Sequence, residues 1–210
     1  MQHKDHKGNE GNLRAGSVQW MTAGRGIVHS EMPKQDNGLM WGFQLWVNLP
    51  AARKMTAPRY QDIPPESIPG VTTREGVKLR AIAGEVGGVR GAVRGIVTDP
   101  LYLDVNVPRD MSYSLPVQKD HTAFGYVFVG KGTFGKTGAD PGQEAAAQHL
   151  VVFSSGDEVT VTTGPEPVGF LLLAGKPLHE PIARYGPFVM NTRGEVSKAF
   201  EDYRRGSFLQ

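Results

Sequence analysis

The chain has 210 residues, long enough to bury a sizeable core, and its 39% hydrophobic and 21% charged residues are the balance of an ordinary globular protein. A net charge of +2 from 23 basic and 21 acidic residues argues against direct nucleic-acid binding, which calls for a concentrated basic patch, and no apolar run approaches the ~18 residues of a membrane span. The absence of cysteine excludes a disulfide framework, a thiolate metal site and a cysteine nucleophile.

The first ten residues, Met1 to Glu10, are polar throughout and carry no apolar core of a secretory signal. The expected compartment is the cytoplasm, with the nucleus a second location in a eukaryote. His3 and His6 stand three apart, so a regular strand turns them to opposite faces, and both are expected to be solvated.

The block Gly16-Ser-Val-Gln-Trp-Met-Thr-Ala-Gly-Arg-Gly-Ile-Val-His-Ser-Glu-Met-Pro33 follows. Gly24 and Gly26 suit a tight turn with positive φ. His29 and Glu31 are two apart, so a strand points both side chains to one face. An imidazole and a carboxylate suit Fe(II), Mn(II), Zn(II) or Ni(II). Alone, the His-x-Glu pair is a weak signal.

Next, Phe43, Leu45, Val47 and Leu49 alternate with Gln44, Trp46 and Asn48, which predicts a strand. Asn48 to Pro58 breaks the rhythm and continues into a stretch with Pro64, Pro65 and Pro69. It reads as a connector with room for one helical turn between two β units.

Beyond it, Leu101, Leu103, Val105 and Val107 alternate with Tyr102, Asp104 and Asn106. Further strands are predicted at 124–129, 149–153, 158–162 and 168–173, separated by Gly- or Pro-containing turns. Gly130 to Gly135 reads as a hairpin turn, because it lacks the spacing of a phosphate loop. Lys78, Arg80, Arg90 and Arg94 read as a solvated face. The carboxylates Asp62 and Glu66, Asp157 and Glu158, and Glu201 and Asp202 read as surface or turn charges with no matched partner. No Gly-x-Ser-x-Gly supports a hydrolase.

In the tail, Thr192 three residues before Glu195 predicts a capping box. Val196, Ala199, Phe200 and Tyr203 then lie at helical spacing, with Gly206 as a stop. Ahead of this helix run Gly175-Lys-Pro-Leu-His-Glu-Pro181 and Gly186-Pro-Phe-Val-Met-Asn-Thr192.

Together, the block at 16–33 with Leu45-Trp-Val-Asn-Leu49 and the two stretches at 175–181 and 186–192 resemble signature segments of the pirins, two-domain members of the cupin superfamily. The first block also resembles a cupin second motif, with Thr22 where the usual pattern has Pro and a longer spacer before His29. The resemblance implies an all-β fold of two cupin-type barrels, with a C-terminal amphipathic helix packing back on the first. The expected domains are 1–66, a partial N-terminal cupin; 67–183, the C-terminal cupin; and 184–210, the C-terminal segment and helix.

By the same resemblance, His29 and Glu31 match two of four family metal ligands, and Glu31 also takes the catalytic carboxylate role. The implied cofactor is Fe(II) or another divalent transition metal, and the implied activity is quercetin 2,3-dioxygenase-like turnover of a flavonol-type small molecule. The other two family ligands form a His-x-His pair, absent from this sequence. By that resemblance Met1 falls just after the strand that carries them, so the first barrel is expected to be incomplete and its site vacant or weak. An incomplete barrel exposes an edge for a homodimer or a protein partner. A non-enzymatic binding or co-regulatory role, or an inactive truncated member, is the competing expectation. His121, His149 and His179 are expected not to be ligands.

Overall fold

The protein is described by a computed structural model over residues 1–34, 37–135 and 141–209. Two compact units emerge: Met1–Pro65 with Leu178–Gln210, and Glu66–Pro177.

The first unit begins with five short strands, β1 (Gln2–Asp5), β2 (Glu10–Asn12), β3 (Val18–Thr22), β4 (His29–Met32) and β5 (Arg59–Ile63). β1 lies between β2 and β4 in an antiparallel three-stranded sheet, and β3 pairs with β5. The turn ahead of β4 depends on glycine. Gly24 has φ +56°, and a Cβ there would lie 2.1 Å from the Thr56 carbonyl oxygen. Gly26 has φ +145°, and its Cβ would lie 2.5 Å from the Phe208 ring. Only a residue without a side chain lets the chain pass between these two neighbours.

The second unit holds the main core. Its strands are β6 (Gly70–Thr72), β7 (Lys78–Ala83), β8 (Glu85–Val86), β9 (Val89–Arg90), β10 (Leu101–Val107), β11 (Ser112–Pro116), β12 (Thr122–Phe134), β13 (Gln143–Ala146), β14 (His149–Val152), β15 (Glu158–Thr162) and β16 (Val168–Gly175). The sheet runs β11-β15-β12-β16-β10-β7-β6, with β13 and β14 also paired to β12. β16 sits between β12 and β10, and seven of its eight residues are buried, as the apolar run 168–174 requires. β10 shows the predicted alternation, with Leu103, Val105 and Val107 inward and Asn106 exposed. Phe170 is fully buried at the centre and meets Phe134 edge-on, with ring centroids 5.2 Å apart.

The chain then returns to the first unit through the hairpin β17 (Ala183–Tyr185) and β18 (Phe188–Met190) and the helix α1 (Arg193–Arg204). The predicted capping box is formed: the Glu195 N–H donates to Thr192 Oγ1 at 3.2 Å, and Glu195 Oε2 accepts from the Thr192 N–H at 2.7 Å. Gly206 follows at φ +72°. Val196 is buried, and Phe200 packs on Phe188 with centroids 4.8 Å apart. No helix among the described residues is long and apolar enough to cross a membrane.

The all-β class with a C-terminal helix is as expected, but four local expectations are corrected. Residues 41–50 form no strand, and Trp41 to Val47 are exposed throughout rather than alternately. Alternation marks a strand only where a neighbouring strand pairs with it, and no described strand does so here. The Pro-rich connector does contain a 3-10 turn at Ala51–Arg53, yet it also contains β5, which β3 recruits by pairing. Gly130 to Phe134 is no hairpin turn but the far half of β12. Gly130, at φ +69° beside a register shift between Val127 and Val129, lets this 13-residue strand bend and continue. Finally, His3 is buried at 2% exposure, whereas His6 is exposed as expected.

Candidate functional site

The register of the small sheet decides which side chains share a face. β1 and β4 pair His3 with Glu31 and Asp5 with His29. Residues directly opposite in an antiparallel ladder project to the same side, as do residues two apart. His3, Asp5, His29 and Glu31 therefore occupy one face. The predicted pair His29 and Glu31 is brought together on β4, and every residue of that strand is exposed.

The other two groups on this face are engaged elsewhere. Asp5 closes the β1–β2 turn: its Oδ1 accepts from the backbone N–H of Lys7 and Asn9 at 2.9 and 2.8 Å, and its Oδ2 from the Asn9 amide at 2.6 Å. Desolvation pushes the Asp5 carboxyl up, but the Asn9 and Lys7 hydrogen bonds outweigh it and hold the group below its ordinary value. His3 faces β5, with Nε2 3.3 Å from Asp62 Oδ2. The Tyr60 ring stacks on the imidazole with centroids 5.8 Å apart and planes inclined by 20°. Burial pushes the Tyr60 hydroxyl up to about 12, with Asp5, Glu31 and Asp62 adding to the shift. A negative local field thus covers this side of the unit.

His29 and Glu31 bring an imidazole and a carboxylate to one strand face. Their donor chemistry suits a borderline divalent metal, but the described residues contain no group of three or more His, Cys, Asp or Glu side chains able to hold one ion. Two protein donors hold a metal weakly compared with three or four in a preorganised site.

Among the described residues, no other histidine joins His29 and Glu31 in a group of three donors. His6 Nδ1 accepts from the Val28 N–H at 3.3 Å. His149 Nδ1 lies 3.0 Å from the Ala146 carbonyl oxygen in the second unit. His179 is exposed and adopts φ +52°. The sequence reading missed Tyr60 and the partner of Asp62. Arg59-Tyr-Gln-Asp-Ile63 carries no apolar alternation, since Tyr60 and Ile63 are three apart, so no local pattern marks this strand.

A second polar cluster in the first unit surrounds Lys54, which is 5% exposed. Its Nζ donates to Asn48 Oδ1 at 2.7 Å and to the Val189 carbonyl at 3.2 Å. Burial pulls its pKa down against the opposing attraction of Glu180 and Glu195. Glu180 Oε2 also accepts from the Ala51 N–H at 2.7 Å and from the Asn191 amide at 3.2 Å. This cluster reads as a clasp between the connector and the returning segment.

Residues 1–47 match the pirin family, and residues 102–209 match the pirin C-terminal cupin domain. A pirin-like protein of Caulobacter vibrioides is 44% identical over 209 residues, covering 99% of this chain and 73% of that protein. Pirin of Mus musculus is 41% identical, covering 97% of this chain and 69% of that protein. A crystal structure of a quercetin 2,3-dioxygenase from Acinetobacter baumannii superposes with a TM-score of 0.84 at 33% identity, covering all of this chain and 73% of that one.

Proposed function

The chain belongs to the pirin family, and from that premise we propose that it is a pirin-like cupin whose β4 face supplies two metal donors for oxidoreductase chemistry of the quercetin 2,3-dioxygenase type. The observation that carries the proposal is the placement of His29 and Glu31 side by side on one exposed strand face. In this reading His29 is a ligand, and Glu31 is both a ligand and the carboxylate that takes the proton of a flavonol-like hydroxyl. The metal, Fe(II) or another divalent transition ion, supplies Lewis-acid and redox chemistry when bound. With two donors, this chain by itself holds that ion weakly and turns over flavonol poorly.

A binding-module reading is favoured by a separate observation. Leu39, Trp41, Phe43 and Trp46 are 88%, 62%, 45% and 55% exposed within eight residues. An apolar stretch of this kind is a feature of protein-interaction surfaces. Metal content after purification, combined with oxygen uptake in the presence of quercetin, separates the readings. Substoichiometric iron with slow uptake that disappears in Glu31→Gln supports the two-donor oxygenase. Stoichiometric iron with sustained turnover overturns the weak-site part. A folded chain with neither metal nor turnover favours the binding module.

A further inference from the structure

β4 is the last strand of its sheet, whose order is β2-β1-β4, and all four of its residues are exposed. In an antiparallel ladder the backbone groups of successive residues turn to alternate sides. The His6 N–H donates to the Val28 carbonyl at 2.9 Å, so Val28, Ser30 and Met32 bond towards β1. The N–H and C=O of His29 and Glu31 therefore point out of the open edge, and among the described residues no backbone group pairs with them. Such an edge is a template for another strand.

The sequence of β4 is complementary to itself in one register. Only His29 and Glu31 offer outward groups, so two copies of the strand related by a twofold axis centre on residue 29, 30 or 31. Centring on 31 opposes Glu31 to the partner's Glu31, a like-charge pair, and His29 to the partner's Pro33, which has no N–H. Centring on 29 leaves Glu31 opposite the partner's Ile27. Centring on Ser30 sets His29 opposite the partner's Glu31, and Glu31 opposite the partner's His29. On the other face Val28 and Met32, 38% and 58% exposed, meet the partner's Met32 and the partner's Val28. Every opposed pair is then compatible.

That register also doubles the donors, because both imidazoles and both carboxylates share one face. Opposed Cβ atoms stand about 4.5–5.5 Å apart and residues two along a strand about 6.5 Å, so the four Cβ atoms surround a point about 4 Å from each. An imidazole or a glutamate carboxylate reaches that point with metal bonds of about 2 Å. We propose that two copies of this chain pair through β4 around Ser30 and hold one divalent transition ion between them, with His29 and Glu31 of each copy as ligands. The inference rests on the β4 donor reading above and supplies the two donors that a single chain lacks. A four-residue edge falls well short of the ~800 Å² per partner of a standing interface, so the ion drives the pairing and the metal-free chain is monomeric.

The test is sedimentation velocity of the full chain together with a Co(II) titration read by visible absorption. A metal-free monomer of 22.8 kDa is expected to become a dimer holding one Co(II) per two chains. Apparent Co(II) affinity is expected to tighten by about tenfold when the protein concentration is raised about tenfold. Ser30→Lys keeps both donors but sets like charges face to face on the axis, and it is expected to abolish the dimer and weaken Co(II) binding by about tenfold or more. Should Ser30→Lys fail to fold by circular dichroism, the concentration dependence of the unaltered chain decides. Saturation at one Co(II) per chain with an affinity independent of protein concentration, equal binding by folded Ser30→Lys, or a dimer that persists in EDTA overturns the shared site and leaves the β4 donor reading standing. No Co(II) binding at any protein concentration overturns both.

Discussion

Replacing Lys54 with Met keeps most of the buried stem and removes the ammonium. Two acceptors, Asn48 Oδ1 and the Val189 carbonyl, then lose a charged donor. Hydrogen bonds to charged groups contribute about 1.5–3 kcal/mol each, and part of that is returned because a buried charge no longer has to be desolvated. The expected net loss is about 2 kcal/mol, which at a urea slope of ~1–3 kcal/mol per M lowers the midpoint by about 1 M. The assay is specific to the right unit, because all three tryptophans, Trp20, Trp41 and Trp46, lie within residues 1–65. Tryptophan fluorescence therefore follows the unit that contains Lys54. The difference also depends on pH. The folded-state pKa of Lys54 lies below 10.5, so between the two values the unfolded chain binds more protons and stability rises with pH. Only the native chain has this gain, so the gap between it and Lys54→Met widens as pH rises towards 10.5. Equal urea midpoints, or a gap that narrows over that window, would refute the clasp.

Burial pushes Tyr60 up to about 12, reinforced first by Asp5, and pushes Tyr102 to about 12, reinforced by Asp104. Both stay protonated in the folded chain through the range where an unfolded tyrosine ionises, near pH 10. Their contribution to stability is thus complete below that pH and fades as pH rises from about 10 towards 12. Burial raises Tyr113 as well, and among the late-titrating groups in phenolate absorbance one should be lost in Tyr60→Phe and another in Tyr102→Phe. In the second unit, Phe170→Ala removes a fully buried ring and its edge contact with Phe134, at an expected cost of about 3–5 kcal/mol. Far-ultraviolet circular dichroism in urea should report that loss, and tryptophan fluorescence should follow it less closely.

How legible each element was depended on how local its cause is. The capping box of α1 and the strands β10 and β15 follow from a few adjacent residues, and they form where the pattern predicts. The segment 43–49 has the same alternation as β10, but alternation marks a strand only if a neighbour pairs with it, and that is not a local property. β5 shows the converse: its flanking prolines obscured a strand that β3 recruits. In the site, the spacing of His29 and Glu31 directly implies a shared strand face, and β4 provides it. The meeting of His3 with Asp62 crosses 59 positions and two sheets. Nothing in the local sequence announces a contact of that kind. The missing side chain at Gly11, where a Cβ would lie 2.1 Å from His3 Nε2, becomes meaningful only once the register opposite His3 is known.

The first unit is assembled from two stretches of chain, residues 1–65 and 178 onward, with the whole second unit inserted between them. During synthesis, Glu66–Pro177 can emerge and close its core before the clasp of Asn48 and Lys54 has met Val189. The earlier residues must wait on the ribosome with Lys54 not yet bonded to Val189 and the Gly26 turn without Phe208 beside it. The order of translation therefore places a vulnerable interval in residues 1–65, the stretch that carries His29 and Glu31.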